Sequence, residues 1–388
     1  MADILKVNGV EGCDAVKVGE TEIGNILTCA GKDYTTCAAT RWMAGANTGR
    51  VFSTTASNGL NGWGDGPGTN GSLLDLGNGD VETVAYGRSS DDPLDPDRWI
   101  VGLNLKSGPF GAIVYINSGS GIDGAGRPYY TTSSNWTSGS APEMVAGFQG
   151  VQGIGYGNDI WMGAGQDENV SGDYRTFYRS SNYGVFWTRL VESNDEADEA
   201  MAVCYKGTGN TWLAAHGKSI WRSTDNGANW TRVLTGGTAT WTSIAYDGSG
   251  RWMIVGNSGD ALYTDDDGDN FVDQSSKTGT ALHLTQVVYM KGSVNRWIAV
   301  GQNGVGKSQT NAAIDADEDN WTNMSPPDST SMNAIATDHK TAVAVGQSGR
   351  IWVTTNGTSW TAAVRGDNVG TNALKSIACD IVGSGIYK

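Results

Sequence analysis

A seven-bladed all-β propeller of four-stranded blades is the fold class this sequence predicts, and three periodic features predict it. The first is a turn that reads Ser/Thr-x-Asp-x-Gly-x-x-aromatic. It is complete at Ser223, Asp225, Gly227 and Trp230. Related copies run through Ser180, Asn182, Gly184 and Trp187, and through Thr264, Asp266, Gly268 and Phe271. A shortened copy holds Thr354, Asn356, Gly357 and Trp360, and a stretched one runs from Thr55 to Trp63. The second feature is a short apolar strand, as at 83–87, 153–157, 202–205, 243–246, 286–289, 333–336 and 376–379. The third is a strand that opens on Trp and ends near Gly, as at 98–102, 160–165, 211–215, 251–256 and 296–301.

Each element follows from local chemistry. Runs of four to six β-branched and aromatic residues between Gly, Asn and Asp turns read as strands. A third strand follows the Trp strand at 219–222, 261–263 and 350–353, and a fourth starts at the turn's aromatic, as at 230–233. The closing aromatics recur at roughly 40-residue intervals, the length of one four-stranded blade. The copy at 341–346 has Ala342 in place of Trp. The seventh first strand, 376–379, has no Trp strand after it. The missing parts lie at the other end, in 41–45, 50–53 and the turn to Trp63. The last blade is therefore expected to be closed by N- and C-terminal strands together, which removes the free edge an open ring would leave. The propeller spans 39–388, and residues 1–38 form a short N-terminal β arm outside the repeat.

Composition bounds the function. The chain has 56 glycines and only 8 prolines, the signature of many tight turns. The formal charge of −15 argues against nucleic acid, which needs clustered Lys and Arg, and against an anionic membrane surface. No apolar run reaches the ~18 residues of a membrane helix, and the first residues carry no basic-then-apolar signal pattern. Of the five cysteines, Cys204 and Cys379 fall at one repeat position in a buried strand, where they pack as small apolar groups. Cys13, Cys29 and Cys37 lie near the N-terminus, and whether they pair is open.

The turn resembles the Asp-box, or BNR repeat, of sialidase-like propellers and of the photosystem II assembly-factor type. The resemblance implies a structural turn: Asp225 accepts backbone N–H groups, Gly227 supplies positive φ and Trp230 packs between sheets. It implies no catalysis here, since the sialidase Arg-Ile-Pro signature is absent. Arg41, Arg98, Arg251 and Arg296 stand before the repeated Trp, and Arg179 and Arg222 stand before the turn. These arginines are expected to cap carbonyls or cover strand edges. His216, His283 and His339 have no metal-ligand spacing, and no nucleophile elbow, P-loop or dinucleotide fingerprint occurs. Gly301 to Gly306 is a turn, with no helix to follow. Paired carboxylates meeting at the ring's centre are the one catalytic arrangement left open. No cofactor and no metal are expected; the acids at 265–269 crowd one loop but lack the EF-hand order. The Asn-Trp-Thr triplets at Asn135, Asn229 and Asn320 belong to the repeat rather than marking glycosylation.

The arm resembles the opening of virion proteins of tailed bacteriophages, in residues 6–10 and 17–23. That resemblance implies a structural or adhesion component of a virion: a tail fibre, a tail-associated protein or a capsid decoration. Ile4, Leu5, Val7, Val10, Val16, Val18 and Ile23 would then dock to other virion structural proteins, with the oligomeric state set by that assembly. The propeller would present a surface for a host glycan or protein, and the location would be the virion. The alternatives are a soluble, cytoplasmic assembly or scaffold factor of the BNR-repeat type, and a glycan-binding or glycoside-acting propeller. Long connections at 64–80, 103–111, 166–174, 191–199 and 274–283 fall on one face, where binding surfaces form. The opposite face carries short turns, with 88–96 and 311–320 as its exceptions.

Overall fold

The computed structural model describes residues 42–47, 49–54, 59–60, 63, 79–87, 98–105, 111–117, 137–138, 148–167, 177–190, 200–235, 239–292, 294–315, 321–324, 326, 328–365 and 369–380. The arm with its docking residues, Cys13, Cys29, Cys37 and most of the long-loop face lie outside them.

The chain opens with β1 (Trp42–Ala46) and β2 (Val51–Thr54). Six four-stranded antiparallel sheets follow in sequence. Blade one is β3 (Gly79–Gly87), β4 (Arg98–Leu105), β5 (Gly111–Asn117) and β6 (Thr137–Ser138). Blade two is β7 (Phe148–Gly157), β8 (Ile160–Asp167), β9 (Phe177–Ser180) and β10 (Thr188–Arg189). Blade three holds β11 (Ala200–Tyr205), β12 (Trp212–His216), β13 (Ser219–Ser223) and β14 (Thr231–Leu234). Blade four holds β15 (Trp241–Tyr246), β16 (Trp252–Gly256), β17 (Ala261–Thr264) and β18 (Val272–Asp273). Blade five comprises β19 (Leu284–Met290), β20 (Arg296–Gly301), β21 (Gly306–Thr310) and β22 (Thr322–Asn323), with α1 (Asn311–Asp315) before its last strand. Blade six comprises β23 (Met332–Thr337), β24 (Ala342–Gly346), β25 (Ile351–Thr354) and β26 (Thr361–Ala362). The chain then enters β27 (Leu374–Cys379), which pairs with β1, with Trp42 opposite Cys379.

The expectation of seven four-stranded blades is corrected to six. The closing sheet, β27-β1-β2, has three strands among the described residues. Trp63, expected to start its fourth strand, makes an isolated parallel bridge to Arg365 instead. The Val364 amide also donates to the Leu60 carbonyl at 2.7 Å. This stretch is thus taken up by the chain leaving blade six. Trp63 is still buried, and its Nε1 donates to the Gly59 carbonyl at 2.7 Å.

Neighbouring first strands pack in turn from β3 to β27, and β27 packs on β3, so the ring closes through the two ends of the described chain. The core lies between sheets. Its repeated unit is a Tyr on the first strand facing a Trp on the second: Tyr86–Trp99, Tyr156–Trp161, Tyr205–Trp212, Tyr246–Trp252 and Tyr289–Trp297, with centroids 4.6–5.1 Å apart. Such tilted pairs combine large apolar burial with favourable ring geometry. In blade six the pair is Thr337 opposite Ala342. Cys204 and Cys379 are buried and form no disulfide, and burial pushes the Cys204 thiol up.

One device recurs that the periodicity does not announce. Every first strand carries a bulge near its start, at Glu82, Gln152, Met201, Thr242, Thr285, Asn333 and Lys375. Each bulged residue is half-buried between buried neighbours. Several reach the next sheet of the ring. Thr242 Oγ1 donates to the Leu284 carbonyl (2.6 Å), Thr285 Oγ1 to Met332 (2.9 Å) and Asn333 Nδ2 to Leu374 (2.7 Å). At the closure Lys375 Nζ meets Glu82 Oε1 (2.6 Å) and Asp80 Oδ2 (2.9 Å) of blade one. Burial alone would lower the Lys375 ammonium, but Glu82 and Asp80 outweigh it and raise it. A lysine raised in the folded state contributes stability below its unfolded pKa and loses it as pH rises through the folded value. Lys375→Gln should therefore cost about 1–2 kcal/mol at neutral pH. It should also flatten the fall in stability above about pH 10. Guanidinium unfolding at neutral and alkaline pH checks both.

Candidate functional site

The repeated turns face one another across blade junctions, and their hydrogen bonds say what their polar groups do. In the complete copy, Ser223 Oγ donates to Asp225 Oδ1 (2.8 Å) and accepts the Gly227 amide (2.9 Å). Asp225 Oδ1 accepts the Asn229 amide (2.9 Å) and Oδ2 accepts Asn229 Nδ2 (2.6 Å). Trp230 Nε1 donates to the Gly227 carbonyl at 3.2 Å. The copy around Ser180 repeats this with Asn182 as acceptor, and Trp187 Nε1 reaches the Gly184 carbonyl at 2.9 Å. The copy around Thr264 uses Asp266 in the same way, with Gly268 donating to Thr264 Oγ1 at 3.0 Å and Phe271 as its aromatic. In the shortened copy Thr354 Oγ1 donates to Asn356 Oδ1 and accepts the Gly357 amide. There Trp360 Nε1 is buried without a partner, since one deleted residue takes it out of register.

Gly227 needs its hydrogen for two reasons. Its φ is +80, and a Cβ there would lie 2.5 Å from Met162 Sδ of blade two. Each turn thus presses on the preceding blade. The residue before that glycine also has positive φ: Tyr183, Asn226 and Asp267. Its carbonyl accepts an arginine from the preceding blade. Arg98 Nη1 reaches Tyr183 (2.5 Å), Arg179 Nε reaches Asn226 (3.0 Å) and Arg222 Nη1 reaches Asp267 (3.1 Å). The repeated Trp joins in, with Trp212 Nε1 on Asn226 Oδ1 (3.0 Å) and Trp252 Nε1 on Asp267 Oδ1 (3.1 Å). The polar groups of the repeat are thus taken up by the turns themselves, by the Trp strand of the same blade and, through the arginines, by the joints between blades.

The crowded acids at 265–269 divide the same way. Asp266 serves its turn, Asp267 also pairs with Lys206 at 2.5 Å, and Asp269 pairs with Arg222 at 2.7 Å. Among the described residues no group of three His, Cys, Asp or Glu is placed to hold a metal ion. Burial would raise the Asp266 carboxyl, but the Asn270, Thr264 and Asp269 donors outweigh it and hold it at about 2. Asp225 is lowered by its Asn229 and Ser223 donors against the same burial cost. A depressed carboxyl stabilises the fold above its unfolded pKa and loses that stability as pH falls through the folded value. Acid unfolding should therefore steepen between about pH 4 and pH 2. Asp266→Asn should remove part of that slope, read by circular dichroism against pH.

The joint between blades four and five breaks the pattern. No Asp-x-Gly turn stands there. Asn311, at the start of α1, substitutes: its carbonyl accepts Arg251 Nη1 (3.3 Å) and its Oδ1 accepts Trp297 Nε1 (2.7 Å). Arg251 crosses the Tyr263 ring at 5.2 Å, because blade four has Tyr where blades two and three have Arg179 and Arg222. Its Nη2 pairs with Asp315. Asp247 is almost wholly buried under the turn between β15 and β16. Its Oδ1 accepts the Ser249 amide (2.7 Å) and the Arg251 amide (3.0 Å), and its Oδ2 accepts Asn311 Nδ2 (2.8 Å). A cleft of about 290 Å³ opens here, lined by Asp247, Ser249, Gly250, Arg251, Asp265, Asn311 and Asp315. Burial, then the charge of Asp247, pushes the Tyr289 hydroxyl up to about 12. Burial with Asp247 and Asp267 does the same at Tyr246. Sequence reasoning placed Arg251 in the repeat but missed Asp247, Asn311 and Asp315 as a group. Their signal was the long 311–320 connection on the otherwise short-turn face.

No protein-family model matches the chain, and no curated protein matches it. Solved structures do. YCF48 bound to D1 peptide is 11% identical with a TM-score of 0.50, over 73% of this chain and 81% of that one. YCF48 from Cyanidioschyzon merolae is 12% identical with a TM-score of 0.49, over 73% and 84%. The computationally designed Ika8 protein is 12% identical with a TM-score of 0.48, over 90% and 95%. At such identities the likeness is one of fold: a β-propeller.

Proposed function

We propose that this chain is a non-enzymatic assembly or scaffold propeller of cellular, cytoplasmic location, whose ring holds an extended segment of a partner protein. The observation that carries the reading is the use of the repeat's polar groups. Asp225, Asp266 and their arginine neighbours are fully engaged in turns and joints, which makes a stiff ring and leaves those groups unsuited to proton transfer or substrate binding. A frame whose repeated polar groups are taken up internally suits holding better than turnover. YCF48, which shares the fold, has been solved with a D1 peptide bound. The virion reading rests on residues 1–38 alone, and the assembly reading is preferred because it draws on the described ring. The charge of −15 speaks for a partner that is protein rather than nucleic acid.

Cross-linking in the cells that make the protein, followed by peptide mapping, tests this. The expected result is one recurring segment of a cellular protein joined to the ring. Cross-links confined to virion proteins through residues 1–38 would overturn it in favour of the phage reading. Selective hydrolysis of a glycan in a substrate screen would overturn it in favour of an enzyme.

A further inference from the structure

We propose that Lys375, Glu82 and Asp80 form a charge code that selects which strand closes the ring. The proposal concerns the closure of the fold and stands apart from the scaffold reading. Three observations carry it.

Only β27 has to find its neighbours without help from the chain. Every other first strand follows directly on the sheet before it, so chain connection sets its place. β27 follows blade six but must also pack on β3 and pair with β1, and Lys375 lies 293 positions from Glu82. The first strands are alike: Ser376-Ile-Ala-Cys379 shares Ser-Ile-Ala with Ser243-Ile-Ala-Tyr246. Apolar packing alone therefore discriminates weakly between β3 and another first strand. Misassembly and exchange of elements between copies are the characteristic failures of repeat proteins.

The charges stand only where the two ends meet. Of the seven bulged residues, Glu82 and Lys375 alone are charged, and they face each other across the closure. The five between them are Gln152, Met201, Thr242, Thr285 and Asn333, none of which offers a carboxylate.

The closure also departs from the bonding pattern of the inner joints. There the bulged side chain donates to the carbonyl just before the next bulge: Thr242 to Leu284, Thr285 to Met332 and Asn333 to Leu374. A main-chain carbonyl is the same in every blade and carries no identity. At the closure the matching carbonyl, that of Val81, meets Ser376 Oγ at 3.5 Å, and Lys375 takes the side chains of Glu82 and Asp80 on either side of it. Those side chains are only 14% and 16% exposed. Docked on an inner first strand, the ammonium would lose both partners and leave two half-buried carboxylates behind, which is costly. Such a group discriminates through what a wrong neighbour costs, as buried polar groups do when they fix register elsewhere.

The test refolds the full chain from guanidinium at low and high protein concentration. The closed share is read as monomer by size exclusion, with hydrogen exchange slow at both 42–46 and 374–379. Exchange at 284–290 and 332–337 reports the inner joints. Lys375→Met, which keeps the apolar stem and drops the charge, should lower the ratio of closed monomer to misclosed or exchanged species about tenfold while 284–290 stays protected. Lys375→Glu should lower it further. Glu82→Lys combined with Lys375→Glu should restore closure, because the pair is inverted and Asp80 still faces a cation. Thr242→Val removes a neutral inner bond and should leave the closed share as in wild type. Three results would overturn the proposal: a wild-type closed share in Lys375→Met, a double variant no better than Lys375→Glu, or a loss in Thr242→Val as large as that in Lys375→Met. If Lys375→Glu does not fold at all, the double variant decides: a folded, closed ring supports the code and an unfolded chain overturns it.

Discussion

Trp252→Ala should destabilise the protein by about 3–5 kcal/mol, the range for emptying a buried tryptophan site. Trp252 has no exposed surface and packs on Tyr246 with centroids 4.6 Å apart. It belongs to a cluster drawn from two blades, with Leu213 and Ala215 of blade three and Ile244 and Ile254 of its own. Its Nε1 also holds Asp267 Oδ1, the residue whose carbonyl receives Arg222. Alanine thus opens a cavity and loosens the joint between blades three and four together. Trp252→Phe weights the two effects differently, since it keeps one aromatic ring, loses the hydrogen bond and empties a smaller part of the site. It should cost about 1–2 kcal/mol. Guanidinium unfolding followed by circular dichroism reads both variants. A cost below about 1 kcal/mol for alanine would mean that the cluster can collapse around the gap, contrary to the packing described.

Gly259→Ala should cost about 3 kcal/mol or more, through backbone rather than core. Three turns between second and third strands read Gly256-Asn-Ser-Gly259, Gly301-Gln-Asn-Gly304 and Gly346-Gln-Ser-Gly349. In each, the first glycine's amide closes the turn, and the next amide donates back to the chain entering the same blade, as Asn257 does to Thr240 at 2.9 Å. Gly259 has φ +79, and a Cβ there would lie 1.9 Å from the Thr280 carbonyl oxygen. That oxygen is main chain and cannot turn aside, so the 274–283 connection has to move. Gly207 is the control. Its φ is +83, but a Cβ there meets nothing within 4 Å. Gly207→Ala should cost only the conformational part, about 1–2 kcal/mol. Equal costs at the two positions would show that the close approach at Gly259 is not what constrains it.

The legible part of the fold came from chemistry that repeats. Tyr and Trp alternating with Gly marked the first two strands of nearly every blade, because packing between sheets needs the same bulky pair each time. The ring closure by 42–46 and 374–379 followed from counting what each end lacked. The fourth strand of the closing sheet did not follow. Gly59 and Trp63 look like a stretched turn, but whether Trp63 pairs with its own sheet or with Arg365 depends on the chain leaving blade six, far away in sequence. The bulges at Glu82 through Lys375 were hidden for another reason. A bulge is a register mismatch between two strands, and one strand read alone carries no trace of it. The cleft was half legible. Thr310 to Trp321 visibly lacks the Asp-x-Gly turn, yet Asp247 looks like any turn residue until Asn311 is brought beside it.

The repeat's acids serve the ring's turns and joints, and the proposed scaffold role leaves partner binding to other groups. The most direct measurement of that division is the affinity of two folded proteins for the partner segment identified by cross-linking: wild type and Asp225→Ala. The predicted result is a dissociation of effects. Asp225→Ala lowers the unfolding free energy by about 1–2 kcal/mol and binds as wild type does. The opposite pattern, with binding lost in Asp225→Ala at an unchanged unfolding free energy, would contradict it.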